Sequence, residues 1–219
     1  MPAKIVIFDF DGVILESNRI KDNAFHDLYL PHGRGAAARA LKIHLSHHGR
    51  SRFEKFAMMH QEILDREITA AESAELGRQF TEKCFHEICR CPFVPGALEF
   101  LEQYHQSHIL AVASATPEDE LKEIVAARNL QKFFKHVFGK PTSKSDNLRK
   151  IILLENVPAS AAVFVGDQIS DWESAHAVGV RFIGRVPGGD VSPFPAEGPA
   201  RILPDLKELA ACLQEGKTL

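Results

Sequence analysis

Residues 5–17 read IVIFDFDGVILES. The apolar run Ile5–Phe8 has the unbroken hydrophobicity of a strand covered on both faces, and it ends in two aspartates, Asp9 and Asp11, followed at once by Gly12. Side chains alternate along a strand, so Asp9 and Asp11 share a face only if the strand continues. Gly12 implies instead that the chain turns there, which lets the two carboxyls approach one point from different sides.

Downstream of Pro92 the pattern alternates. Strands are expected at 108–114, 136–139, 161–167 and 181–186, with helices over PGALEFLEQYHQ, TPEDELKEIVAARN, SKSDNLRKIILLEN and SDWESAHAVG between them. A Pro/Gly-rich loop, 187–199, leads to ARIL and to a last helix from about Pro204. Strands alternating with helices predict an α/β fold, a doubly wound, Rossmann-like parallel sheet with helices on both faces. Thr116, before Pro117, is the expected cap of its helix, and a Ser170/Glu173 capping box is expected for SDWESAHAVG.

Between strand 3–8 and Pro92 nothing reads as a strand. Four helices are expected: one within 17–29, with Ile20, Ala24, Phe25 and Leu28 on one face; one over 34–47; one opened by the capping box Ser51/Glu54, with Phe53, Phe56, Ala57, Ile63 and Leu64 as its apolar face; and one opened by Thr69/Glu72 and running to about Arg90. A connection of about 75 residues is far longer than an ordinary strand–helix loop. Residues 16–91 are therefore expected to be an inserted helical domain sitting over the first strand's end, and residues 1–15 and 92–219 the sheet domain.

Ligands of open α/β sheets bind beyond the carboxyl ends of the strands. Those ends carry Asp9, Asp11 and Gly12, then Ser114, then Lys140 and Lys144, then Asp167 and Asp171. Carboxylates gathered so closely repel unless a cation neutralises them, and oxygen-only ligation suits Mg²⁺. Ser114 competes with Thr116 as a phosphate donor and is preferred, because Thr116 has a capping job. Lys144 is preferred over Lys140, because a Ser143 cap with Asp146 at the third position puts Lys144 at a helix start.

The order D-x-D-G-V, Ser114, Lys144 and GDQISD resembles the haloacid dehalogenase-like superfamily over the whole chain, and the position of the insert resembles its C1-cap branch, which includes phosphoglycolate phosphatase-like and β-phosphoglucomutase-like enzymes. The resemblance implies a Mg²⁺-dependent phosphatase. Asp9 is then the nucleophile that becomes an aspartyl-phosphate, and Asp11 the acid and base. Ser114 and Lys144 hold the phosphoryl group. Asp9, the carbonyl of Asp11, Asp167 and Asp171 hold the metal. The family often has Asn after the Ser/Thr; here Ala115 offers only its backbone N–H to the substrate, beside Gly12. In the insert, HGRSRFEKF resembles a cap specificity loop, with Arg52 and Lys55 as candidate contacts to an anionic end of the substrate.

The expected substrate is a small phosphorylated metabolite, phosphoglycolate or a sugar phosphate. A phosphomutase would share every core residue, and a non-catalytic phospho-ligand binding protein is the alternative from another class. A dehalogenase or phosphonatase is disfavoured, since those branches lack an acid at the Asp11 position. From Pro31 to Phe56 the insert is basic, with Glu54 as its lone acid and His44, His47 and His48 alongside, mostly a solvated face. The formal net charge of −3 gives no field for nucleic acid. With no apolar run of spanning length and no signal peptide, no membrane association is expected. The four cysteines match no common zinc spacing and fit reduced thiols in a cytoplasmic protein.

Overall fold

The computed structural model describes residues 4–47 and 49–214, so Ala3 of the expected first strand and His48 lie outside the described residues. The chain divides into two compact units, Met1–Glu16 with Pro92–Leu219, and Ser17–Cys91.

In the first unit, described strands β1 (Ile5–Phe8), β2 (Ile109–Pro117), β3 (His136–Lys140), β4 (Ala162–Gly166), β5 (Arg181–Arg185) and β6 (Arg201–Leu203) form one sheet in the order β3-β2-β1-β4-β5-β6, every neighbouring pair parallel. The chain order reverses between β1 and β4, which makes the crevice beyond their carboxyl ends the expected ligand position. Register puts Phe8 opposite both Val112 and Val165.

Alternation along the strands sorts their side chains. Ile5, Ile7, Ala111, Ala113, Ala162, Phe164 and Phe182 pack with Leu148 and Ile151 of helix α7 (Lys144–Leu154) and Ala175 of helix α8 (Ile169–Val178). On the other face, Phe8 meets Phe100 of helix α5 (Ala97–Tyr104) edge-on at 5.8 Å and Phe134 at 6.4 Å. Trp172 packs against the first cluster and stacks on His176, and Tyr104 stacks on Phe100, so both are packing residues.

Three expectations shift. Strand β2 continues through Ser114 to Pro117, with an irregularity in its pairing to β3 between Ala113 and Pro117. Helix α6 (Glu118–Ala127) therefore starts after Pro117 with no side-chain cap, and Thr116 is not its cap. Helix α8 is capped by Gln168 with Asp171 at the third position, not by Ser170 and Glu173. The last helix, α9, spans Leu209–Gln214 rather than starting near Pro204.

The second unit holds helices α1 (Asn18–Tyr29), α2 (Arg34–Ser46), α3 (Arg52–Leu64) and α4 (Ala70–Ile88). Both expected capping boxes form: Ser51 with Glu54 and Thr69 with Glu72. Phe25, Phe56 and Phe80 make the aromatic centre, Phe25 lying 4.7 Å from Phe80 and 5.6 Å from Phe56. The buried face of α3 departs from the apolar pattern. It comprises Arg52, Lys55, Phe56, Met59 and His60, while Phe53 and Ala57 are exposed. Long cationic side chains bury their aliphatic stems readily, and here both find aromatic faces: Arg52 over Phe80 at 4.5 Å and Lys55 over Phe25 at 5.3 Å.

His44 stacks on Phe25 and bridges two charges, its Nδ1 to Lys55 Nζ at 2.8 Å and its Nε2 to Asp22 Oδ1 at 2.9 Å. Burial lowers the pKa of His44 from the ordinary histidine value, Asp22 opposing and Lys55 and Lys21 assisting. Above about pH 6.5 both folded and unfolded chains carry a neutral histidine; below it the unfolded chain takes up a proton the folded form refuses. Acidification from about pH 7 to about pH 5.5 should thus reduce stability by up to about 1.4 kcal/mol per pH unit from this group. Urea titrations at the two pH values should show the loss, and His44→Gln should remove its share, leaving that of His60 and His108, whose pKa values burial also lowers.

Candidate active site

The site grows from the carboxyl ends of β1, β2 and β4. Asp9 follows β1 directly, and its N–H donates to Val165 O at 2.8 Å, extending the ladder to β4 by one bond. The residue is 5% exposed. Oδ1 accepts from Phe10 N at 2.7 Å and Oδ2 from Lys144 Nζ at 2.8 Å. Lys144 is the first residue of α7, whose Ser143 cap accepts from Asp146 N as expected. The same ammonium also contacts Asp171 Oδ1.

Asp171 is fully buried and is the hub of the loop after β4. Its Oδ2 accepts from Asp167 N at 3.2 Å and Gln168 N at 3.0 Å, and Gln168 Nε2 donates to Asp167 Oδ2 at 2.7 Å. The loop approaches so closely that a Cβ on Gly166 would lie 2.4 Å from Asp171 Cβ.

Asp9, Asp167 and Asp171 each offer a carboxylate oxygen within 4.8 Å of the others, and all three are buried. Burial raises the Asp9 carboxyl to about 7; Lys144 pulls it down, while Asp171 and Asp11 push it up. Burial opposes the charge on Lys144 too, but attraction to Asp171 and Asp9 outweighs this and holds the ammonium well above the ordinary lysine range. Among these four groups, three carboxylates face one ammonium. An all-oxygen donor set with two negative charges in excess fits a hard divalent cation.

Asp11 stands apart from that cluster. Gly12 takes φ 72°, the left-handed region that suits glycine, and the turn is closed by Gly12 N to Leu15 O at 2.8 Å and Ile14 N to Phe10 O at 2.9 Å. The Asp11 side chain swings toward β2, where Thr116 Oγ1 donates to its Oδ2 at 3.1 Å. Ser114, 1% exposed, accepts from Thr116 N at 3.2 Å, and Ala115 is half-buried between them. The structure thus brings Asp9, Lys144, Asp167 and Asp171 into direct or near contact, and sets Ser114 and Asp11 beside Thr116. Arg52 and Lys55 lie in the second unit, on α3, where Arg52 Nη1 donates to Thr81 Oγ1 at 2.8 Å.

Two residues make contacts that local sequence patterns do not show. Thr116, weighed against Ser114 as a phosphate donor and expected to cap a helix, instead donates to Asp11. Arg185, buried at the end of β5, donates to Gly12 O at 3.2 Å, to both oxygens of Glu16 at 2.6 and 3.2 Å, and to Pro204 O at 3.2 Å, so it holds the turn that carries Asp11. A charge at the end of the apolar RFIGR strand was the available signal. Gly166→Ala should destabilise the protein by about 1–3 kcal/mol by overpacking against Asp171. It should also raise the divalent-cation concentration needed for half-saturation, measured by chemical unfolding and cation titration.

The chain is similar to phosphoglycolate phosphatase of Pseudomonas savastanoi pv. phaseolicola, at 27% identity over 94% of this chain and 78% of the relative. It is also similar to phosphoglycolate phosphatase of Pseudomonas fluorescens, at 25% over 96% and 80%. In fold it resembles CbbY from Rhodobacter sphaeroides, solved in complex with phosphate, with a TM-score of 0.77 at 19% identity, covering 98% of this chain and 100% of that one. The model of the haloacid dehalogenase-like hydrolase family matches residues 6–185, the span that runs from β1 through Arg185. The chain belongs to the haloacid dehalogenase-like hydrolases.

Proposed function

We propose that the protein is a Mg²⁺-dependent phosphatase that hydrolyses a small anionic phosphomonoester through an aspartyl-phosphate. The observation that carries this reading is the buried Asp9 carboxylate, oriented by Phe10 N–H and Lys144 and set within 4.8 Å of the Asp167 and Asp171 oxygens.

The steps follow from the chain's own groups. An Asp9 oxygen attacks phosphorus as the ester P–O bond breaks. The departing oxygen takes the proton of Asp11 and leaves as the alcohol. Asp11, now a carboxylate, takes a proton from water as that water attacks phosphorus; the bond to Asp9 breaks, inorganic phosphate leaves, and Asp11 is again protonated. Ser114 and the N–H of Ala115 donate to the phosphoryl oxygens, Lys144 balances their charge, and Gly12 makes the turn that keeps Asp11 off the nucleophile's side. Asp9, Asp167, Asp171 and the carbonyl of Asp11 would hold Mg²⁺, which supplies charge neutralisation at the phosphoryl group.

In this reading Ser17–Cys91 is the cap domain, and its Arg52 and Lys55 receive a carboxylate or second phosphate of the substrate. Supporting this, the two cations sit one turn apart on α3 and are 8% and 5% exposed, unlike Arg34, Arg39, Lys42 and Arg50, which are exposed. The names of the similar phosphatases put phosphoglycolate first in a panel with sugar phosphates.

Release of inorganic phosphate from the panel with Mg²⁺ and no bisphosphate primer tests the reading and separates it from a phosphomutase. No release from any ester would refute it. Asp9→Asn should abolish release, since an amide does not attack phosphorus. Arg52→Ala should raise KM for the preferred anionic ester by about 10-fold or more while sparing 4-nitrophenyl phosphate; equal loss on both would make Arg52 structural.

A further inference from the structure

Thr116 bonds to two residues of the site and lies in β2, ahead of α6, whose cap position is taken by Pro117. It is 3% exposed. Its backbone N–H donates to Ser114 Oγ and its hydroxyl donates to Asp11 Oδ2. The backbone at this point is closely held. A Cβ on Gly139 of β3 would lie 2.4 Å from Thr116 O, so the neighbouring strand presses against it, and Gly139 N donates to Glu118 Oε2 at 3.3 Å just beyond. A β-branched side chain on a fixed backbone has few rotamers, so the direction of the Thr116 hydroxyl is set.

We propose that Thr116 is the positioning residue of proton transfer. By donating to one oxygen of Asp11, it aims the other at the leaving oxygen, and it holds the carboxylate ready for the second half-reaction. By donating its N–H to the Ser114 oxygen, it makes that oxygen an acceptor there and turns the Ser114 hydroxyl hydrogen outward, toward a phosphoryl oxygen. One residue thereby sets the orientation of both the acid and a phosphate donor. This rests on the phosphatase reading above.

The test uses leaving-group dependence. A 4-nitrophenolate leaves without a proton, whereas an alkoxide needs one, so only alkyl esters depend on an aimed acid. The kinetic constant to compare is kcat/KM, which covers the steps through loss of the leaving group. The substrates are 2-phosphoglycolate and ribose 5-phosphate as alkyl esters and 4-nitrophenyl phosphate as the aryl ester. Thr116→Val should lower the alkyl-to-aryl ratio of kcat/KM about 10- to 100-fold, part of the 10²–10⁴ that an acid–base group contributes. Asp11→Asn should lower it at least as far, and Thr116→Ser, which keeps the hydroxyl, should stay within about threefold of wild type. Half-saturation by Mg²⁺ should not move in Thr116→Val. An unchanged ratio in Thr116→Val, or equal loss on aryl and alkyl esters, overturns the proposal. If Asp11→Asn lowers the ratio and Thr116→Val does not, the proposal alone fails. If Asp11→Asn leaves the ratio unchanged, or wild type releases phosphate from 4-nitrophenyl phosphate but from no alkyl ester of the panel, the acid–base reading fails and this proposal with it.

Discussion

A buried ammonium held between two buried carboxylates is the contact on which the site depends. Lys144 joins the start of α7 to the tip of β1 through Asp9 and to α8 through Asp171, so one side chain gathers three chain segments far apart in sequence. Such a contact forms only where the charges compensate the loss of water, and removing one partner typically costs about 3–5 kcal/mol. Asp167 completes the carboxylate group, and one lysine does not balance it. The residual negative charge suits a divalent cation, and the lysine keeps the nucleophile oriented.

The two aspartates that open the chain diverge because the backbone turns between strand and insert. Gly12 supplies the left-handed conformation, Arg185 holds the turn through Gly12 O and Glu16, and Thr116 receives the Asp11 carboxyl. Asp9 is thereby left to the lysine and the carboxylate cluster, and Asp11 faces β2. Two like groups close in sequence can then do different chemistry, because each has its own hydrogen-bond partners.

Much of this was legible in the sequence where the signal is local. The alternation of strands and helices, the Ser51, Thr69 and Ser143 caps, and the placement of Asp9, Lys144, Asp167 and Asp171 at strand ends or a helix start all follow from patterns a few residues long, whereas Ser114 lies inside β2, three residues before its end. What stayed hidden was set by partners far along the chain. Thr116 before Pro117 has the local form of a cap, but its hydroxyl is claimed by a carboxyl 105 residues away. Ser170 and Glu173 have the form of a capping box, yet α8 starts earlier because the Asp171 carboxylate takes the N–H groups of Asp167 and Gln168. On α3, the apolar pattern pointed to Phe53 and Ala57. The aromatic faces of Phe25 and Phe80 instead draw in Lys55 and Arg52, a choice that periodicity alone does not register.

The helical unit leaves and re-enters the sheet unit through a paired stem: Glu16 N donates to Pro92 O at 3.0 Å, Val94 N donates to Ile14 O at 3.0 Å, and Leu15 bridges Phe93. For the folding chain, this stem turns an excursion of about 75 residues into a closed loop whose ends are fastened to each other. Loop-closure entropy grows only with the logarithm of length, about 0.6 kcal/mol for each doubling. Within that stem, lengthening, shortening or exchanging the helices would perturb the β1–β2 pairing little. The chain thus has a natural graft point, at which a new helical module could be spliced without re-registering the sheet that carries the chemistry.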